Sequence, residues 1–327
     1  MREPLYRRTF DAVTLAAEYP PQFQHAHKAA LYEHAYPGGK IPPSTLDVTQ
    51  WDSEIPDPVS FPNSLTLDRQ PNFYDYPPSG PDTPWHVNFA DPRLFVAYGS
   101  SLFAQDEMQV AEHPLLASVR EALAGLGLNT MTVSGGKGTP ILIRNAERRL
   151  EISTSPDARL GRPSLYGNQF ARAPFETVLR ATRKLDPPTF SNLIAIAAPG
   201  YGQGEYTPEQ IKTIFATAYT GFSAARRESA AADRDHPETV IHTGFWGCGA
   251  FGGNRTLMVA LQVLAAKAAG IRRVVFHTGD SQGLRDADRG FDAAEMIEER
   301  CGTSCSFDEL AEQTSRLGFR WGLSDGN

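Results

Sequence analysis

From Trp85 onward, short apolar runs alternate with longer stretches in which apolar positions recur at helical spacing. The runs WHVNF, ILIR, LIAIAA, TVIHT and RRVVFH are rich in Val and Ile and read as buried strands. Helical periodicity covers Ala104–Ala124, Gln169–Lys184, Thr207–Ala230, Asn254–Ala269 and Phe307–Arg316. Helices interleaved with short buried strands predict a layered α/β fold with the sheet inside. Neither an internal repeat nor a low-complexity tract interrupts the pattern.

Residues 1–84 follow a different rule. They hold over half of the prolines, including Pro20-Pro21 and Pro42-Pro43, and one helical stretch at Gln22–Ala35. The remainder reads as an extended, proline-punctuated wrap. Trp51, Phe61, Phe73 and Tyr74 would be exposed if this segment stood free. It is therefore expected to be an N-terminal extension packed on a main domain spanning residues 85–327.

Composition narrows the function. The chain has 327 residues, 41% of them hydrophobic and 21% charged, with a formal net charge of -7. That balance is globular and argues against a direct nucleic-acid surface. No apolar run reaches the ~18 residues of a membrane helix. The opening MREPLYRRTFDAV lacks the apolar region of a secretory signal, and the three cysteines make an odd count. A cytoplasmic chain with free thiols is the expectation.

Candidate chemistry concentrates in TGFWGCGAFGGNRTLMVALQVLAAKAAG, Thr243–Gly270, where five glycines precede a long apolar-striped helix. Glycine there costs chain entropy and offers no side chain, so a close backbone approach is implied. A strand, a glycine loop and a helix N-terminus in succession suit a diphosphate. The bland alternative is a tight strand-to-helix turn. Gly247, Gly249 and Gly252 match G-x-G-x-x-G, but that fingerprint normally opens a βαβαβ unit, and only about fifty residues follow Arg273. Walker A is absent, because no Gly-Lys-Ser/Thr follows the loop. Gly279-Asp280-Ser281 resembles the opening block of GDS-type esterases, yet all eight histidines precede Ser281 and none is left to serve as its base near the end.

The run Thr243-Gly244-Phe245-Trp246-Gly247-Cys248-Gly249-Ala250-Phe251-Gly252-Gly253 resembles the diphosphate loop of the poly(ADP-ribose) glycohydrolase family, with Phe245 at the family's Asn. FATAYTGFSAARRES is similar to the family helix preceding that loop. WHVNFADP and AQDEMQ resemble its Val-Asp-Phe-Ala-Asn strand and Gln-Glu-Glu signature. The resemblance spans Trp85 to Asp280 in patches and implies a macrodomain-like mixed sheet flanked by helices. By this resemblance Glu107 falls on the catalytic acid, Asp106 and Gln105 on its supporting neighbours, and Asp91 on the ribose-contacting Asn. Gly247, Cys248, Gly249, Ala250, Phe251, Gly252 and Gly253 fall on the diphosphate loop, with Phe251 orienting the distal ribose. By analogy with a family tyrosine, Tyr166 in SLYGNQF is a candidate to stack on adenine, with core packing an equal alternative. The departures are Phe95-Val96-Ala97 at the family's triple glycine, Asp106 in place of Glu, and His277 or Thr278 at a strand-end aromatic.

The chemistry so implied is cleavage at an anomeric carbon through an oxocarbenium-like state. One glutamate can act as acid and then base if burial and a neighbouring carboxylate raise its pKa. A helix N-terminus would lower it instead, and the balance is open from sequence. The bland reading of Gln105-Asp106-Glu107 is an ordinary acidic helix start. Two functions follow: a hydrolase releasing ADP-ribose from an ADP-ribosylated protein or ADP-ribose polymer, or a macrodomain that binds ADP-ribose without turning it over. No cofactor and no metal site is expected. His25, His27 and His34 read as solvated or capping groups, Asp286 and Asp288 as a charged turn or helix start, and Cys248 as small filler.

Overall fold

The structure is a computed structural model and describes residues 2–62, 64–77, 82–232 and 238–326. Eight strands form one mixed sheet: β1 (Tyr6–Asp11), β2 (Thr45–Gln50), β3 (Thr66–Gln70), β4 (Thr83–Phe89), β5 (Ile141–Ile152), β6 (Thr182–Ile196), β7 (Thr239–Thr243) and β8 (Arg273–His277). Their spatial order is β1-β2-β5-β6-β4-β7-β8-β3. The β1, β2, β5 and β6 neighbours pair antiparallel. From β6 through β4, β7 and β8 to β3 the strands are parallel. The helices are α1 (Ala12–Glu18), α2 (Ala26–Ala35), α3 (Gln105–Glu112), α4 (Leu115–Gly125), α5 (Gln169–Arg172), α6 (Phe175–Arg180), α7 (Pro208–Ala232), α8 (Arg255–Ala268), α9 (Ser281–Cys301) and α10 (Phe307–Ser315).

The period-2 alternation of the strands divides the core into two layers. Trp85, Val87, Ile194, Ile196, Ile241, Val274 and Phe276 face α7 and α8 in one cluster. Their sequence neighbours Leu193 and Ala195, with Ile141 and Ile143 of β5, face Leu116, Val119 and Leu123 of α4 on the other side. All five positions of β7 are buried, as a parallel strand covered on both faces requires. Among the described residues no helix is long and apolar enough to cross a membrane.

Prolines divide two of the expected helices. Pro114 separates α3 from α4, and Pro174 separates α5 from α6. Each lacks a backbone donor and disfavours helical geometry in the residue before it. The chain then enters β6 at Thr182, so Thr182–Lys184 is strand rather than helix. One helix has no counterpart among the expected elements. α9 buries Gly283, Ala287, Gly290, Phe291, Ala294 and Ile297, a stripe of mostly small residues. A Cβ on Gly290 would lie 2.4 Å from Val259 Cβ, so α9 lies close against α8. Asp286 and Asp288, on its polar side, pair with Arg255 and Arg69.

The first 84 residues contribute β1 and β2 at one edge of the sheet and β3 at the other. Arg7 forks onto Glu228 of α7 at 2.9 and 2.7 Å. Arg227 forks onto Glu54 at 2.7 and 2.8 Å. Trp51 and Phe61 are buried, whereas Phe73 remains 50% exposed. His25 caps α2 through its Nδ1, which accepts from His27 N–H. Removing residues 2–82 would strip β5 of β2 and β8 of β3, leaving β5 and β8 as uncovered sheet edges. Such a truncated chain is expected to lose its near-UV circular dichroism and aggregate. A soluble, cooperatively melting fragment would instead show that residues 85–327 stand alone.

Candidate functional site

The carboxyl ends of β4, β7 and β8 open onto a cleft of about 1070 Å³, the place where parallel α/β sheets present ligand-binding loops. One wall is the glycine loop after β7. Gly247 has φ +74°, and a Cβ there would lie 2.4 Å from Ala198 Cβ, so both conformation and space demand glycine. Trp246 is fully buried and its Nε1–H donates to Ile196 O at 2.9 Å, which anchors the loop to β6. Gly252 N–H donates to Gly249 O, and Gly253 N–H to Gly247 O. Among the described residues the N–H groups of Gly249, Ala250 and Phe251 have no hydrogen-bond partner. The helix behind is capped by its own Asn254, whose Oδ1 accepts from Leu257 N–H. Arg255 follows in its first turn, lines the cleft and lies 4.7 Å over the Phe245 ring.

The opposite wall is the start of α3. Asp106 is 6% exposed and Glu107 4%. Asn88, from β4, donates through Nδ2 to Asp106 Oδ1 at 3.0 Å and to Gln109 Oε1 at 2.9 Å. Gln105 is tied to β4 at both ends of its amide: Oε1 accepts from Phe89 N–H, and Nε2 donates to Val87 O. Glu107 Oε2 accepts from Ala104 N–H at 2.9 Å, closing the helix start from the side-chain direction alone.

Burial sets the direction of the shift that sequence left open. It raises the Asp106 carboxyl well above its ordinary value, with the Glu107 charge adding to the rise. It also raises Glu107, against Lys28 and the Ala104 N–H, which pull the other way. Lys28 comes from α2 and is itself 2% exposed, with Nζ donating to Tyr98 O at 2.9 Å. Burial lowers its ammonium to about 8, even with Glu107 and Asp106 opposing that fall. Deeper along the same wall, Arg148 Nε pairs with Glu112 Oε2 at 3.0 Å, both groups buried.

Gln105, Asp106, Glu107, Asp91, Tyr166 and the loop residues Gly247, Cys248, Gly249, Ala250 and Phe251 all line this one cleft. Gly252 and Gly253 stand behind it; Gly252 receives the segment Gly322–Ser324. Asp91 Oδ1 accepts from Arg93 N–H and fixes the turn after β4. Of the three residues at the family's triple-glycine position, Val96 and Ala97 line the cleft while Phe95 is wholly buried. Tyr166 lies nearly parallel to Phe73, with ring centroids 6.4 Å apart and planes 11° from one another. Burial pushes the Cys248 thiol up, which suits filler rather than a nucleophile.

Several contributors escaped the sequence reading. Lys28, Asn88, the segment Asn72–Tyr76 and Asp325 reach the site only through tertiary structure, while Arg255 follows directly on the glycine loop. Asp325 brings its carboxylate to the loop: a Cβ on Gly249 would lie 3.1 Å from its Oδ2. Trp321 stacks on Tyr206 at 4.2 Å and holds that segment in place.

The raised Asp106 carboxyl carries a stability prediction. The folded chain holds this proton more tightly than the unfolded chain, so stability falls as pH rises from about 4 toward the folded-state value. Asp106→Asn does not titrate and can keep Nδ2 of Asn88 bonded. It is expected to raise Tm by at least ~2 °C at pH 7.5, with the gain shrinking toward pH 4. Scanning calorimetry at several pH values checks this; a gain independent of pH would contradict it.

Residues 165–286 match the sequence model of the family described as poly(ADP-ribose) glycohydrolase, macro domain fold. That interval contains Tyr166, β7, the glycine loop, α8 and β8, and leaves α3 outside. Among solved structures the chain is similar to the poly(ADP-ribose) glycohydrolase of Thermomonospora curvata, at 15% identity over 86% of this chain and 98% of that one, with a TM-score of 0.47. It is also similar to the Deinococcus radiodurans glycohydrolase crystallised with ADP-ribose, at 16% identity over 88% and 94%, with a TM-score of 0.44. Overlaps this loose transfer no residue's role. The sequence match falls on the glycine loop and the strands that carry it, and there this chain is similar to the poly(ADP-ribose) glycohydrolase family.

Proposed function

We propose that the chain is a hydrolase that releases ADP-ribose from an ADP-ribosylated protein or ADP-ribose polymer, with Glu107 as its acid and base. The observation that carries this reading is a buried carboxyl pair, both members shifted upward by burial, in the same cleft as a glycine loop with unpartnered N–H groups. A module that only binds ADP-ribose has no use for two desolvated carboxyl groups there.

In this scheme the diphosphate lies on the loop, where N–H groups of Gly249, Ala250 and Phe251 donate to it and Arg255 adds positive charge. That grip fixes the ribose against α3 and removes much of the entropy cost of orientation. Protonated Glu107 gives its proton to the leaving oxygen as the bond to the anomeric carbon breaks. The resulting carboxylate then takes a proton from water as its oxygen attacks that carbon, restoring the acid and leaving a hydroxyl on ADP-ribose. Asn88 and the β4 backbone hold Asp106 and Gln105 so that the first turn of α3 cannot shift.

Glu107→Gln is expected to cut turnover by roughly 10²- to 10⁴-fold while leaving the Kd for ADP-ribose within about threefold. Release of ADP-ribose is followed by mass spectrometry from polymer and from proteins mono-modified on Arg, Ser or Glu. Wild type that binds ADP-ribose and releases none from any substrate would make the chain a reader instead.

Lys28 supplies a second test, because its charge opposes the rise of the Glu107 pKa. The acid step needs Glu107 protonated, so activity falls as pH rises through that pKa. Lys28→Met removes the opposing charge and is expected to move the alkaline limb of kcat/KM upward by roughly 0.5–1 pH unit. An unmoved limb, with the fold intact by circular dichroism, would disconnect Lys28 from the acid.

A further inference from the structure

A second cluster of chemistry lies beside the cleft and takes no part in the scheme above. His242 ends toward the carboxyl side of β7, and His277 closes β8. In the parallel register His242 lies opposite Val275, so His277, two residues on, projects from the same face of the sheet. His242 Nδ1 and His277 Nε2 face each other at 3.1 Å. A carboxylate oxygen of Asp75 joins them, all three ligand atoms falling within 4.8 Å of one another.

The tautomer at His277 is set from outside. Its Nδ1 lies 3.1 Å from Phe73 O, a carbonyl that can only accept, so Nδ1 carries the hydrogen and Nε2 turns its lone pair toward His242 and Asp75. A ring N–H donated to a backbone carbonyl, with the other nitrogen aimed at a shared point, is the support that metal-bound imidazoles normally have. The rings are also held in place. His86 lies opposite His242 in the sheet register and stacks on it at 4.4 Å and 25°. Tyr74 meets His277 edge-on at 4.9 Å. His242 and His277 are 5% and 6% exposed, whereas Asp75 is exposed and, with His277, lines the cleft.

We infer that Asp75, His242 and His277 form a binding site for a divalent transition-metal ion, of which zinc is the best fit. Two imidazole nitrogens on a tetrahedral ion, each about 2.0–2.1 Å from it, lie about 3.3 Å apart, within a few tenths of an ångström of the spacing here. Two nitrogens and one carboxylate oxygen suit zinc and cobalt better than the oxygen-seeking calcium or magnesium. Three protein ligands leave one position, reached from the cleft past Asp75, for water or an anionic group. The competing arrangement is a plain hydrogen bond, with His242 Nδ1–H donating to His277 Nε2 and no ion involved.

The test uses the full chain without a polyhistidine tag, stripped with chelator and titrated with Co²⁺ and then Zn²⁺. One equivalent of Co²⁺ is expected to give the intense visible bands of a tetrahedral site, and Zn²⁺ to abolish them. Elemental analysis should find one Zn²⁺ per chain. Asp75→Ala, at an exposed position, should weaken Zn²⁺ binding by at least ~10-fold with an unchanged circular dichroism spectrum, and His242→Gln more strongly. Absent tetrahedral bands, or Zn²⁺ uptake equal in wild type, Asp75→Ala and His242→Gln, would overturn the site and leave the hydrogen-bonded pair.

Discussion

Two adjacent carboxyl groups are taken out of water at the first turn of α3, where the helix dipole and the burial of the turn act in opposite directions. The dipole and the Ala104 N–H favour the charged forms of Asp106 and Glu107. Burial favours the neutral forms, and it prevails at both residues. Such an arrangement is costly, and the surrounding elements offset part of that cost. Asn88 reaches over from β4, Gln105 ties the helix start to the strand backbone, and Lys28 places a buried cation nearby. The sheet order makes this possible, because β4 lies between β6 and β7 and brings Asn88 under α3 while β7 delivers the glycine loop across the cleft.

The same order explains why the N-terminal segment is part of the site. Lys28 is carried by α2, and α2 is registered against the turn after β4 by Gln24 and His25 N–H groups donating to Gly99 O. A Cβ on Gly99 would lie 2.4 Å from Gln22 O, so a glycine is needed for that approach. Tyr98 adds to the joint, its hydroxyl accepting from Gln22 N–H and donating to Glu121. The cation near Glu107 thus depends on a contact between residues more than seventy positions apart.

What could be read from the sequence was what is local. The glycine loop, its helix and the strands beside it occupy contiguous windows, and their patterns identify them without the fold. The start of α3 was legible as Gln105-Asp106-Glu107, but the direction of its pKa values was not, because burial is a tertiary property. Lys28 sits in a stretch whose histidines drew the eye, and nothing in QHAHKAALYEH marks its ammonium as the group that turns inward. α9 escaped because its buried stripe is mostly glycine and alanine, which carry little hydrophobic signal although Gly290 lets the helix lie close against α8. β1 and β3 escaped because edge strands alternate weakly, and β2 because its six residues lie in the proline-punctuated stretch. His242 and His277 are 35 residues apart, with Asp75 far upstream; no ligand-spacing motif joins them, and only the parallel pairing of β7 and β8 does.

Phe95-Val96-Ala97, the run that stands at the place of the triple glycine in the resemblance, owes its shape to one left-handed residue. Phe95 adopts φ +52°, a left-handed conformation that glycine reaches freely and that costs a bulky residue on the order of 1–2 kcal/mol. The turn therefore keeps a backbone course open to glycine, carried by bonds from Val96 N–H to Arg93 O and from Tyr98 N–H to Phe95 O. What offsets the strain is the side chain, which is fully buried in the cluster beneath α4 and adds apolar area that glycine lacks. Left-handed geometry sends that ring into the core, away from the cleft. The cleft wall is then made by the smaller Val96 and Ala97, and Phe95 does not enter the cleft.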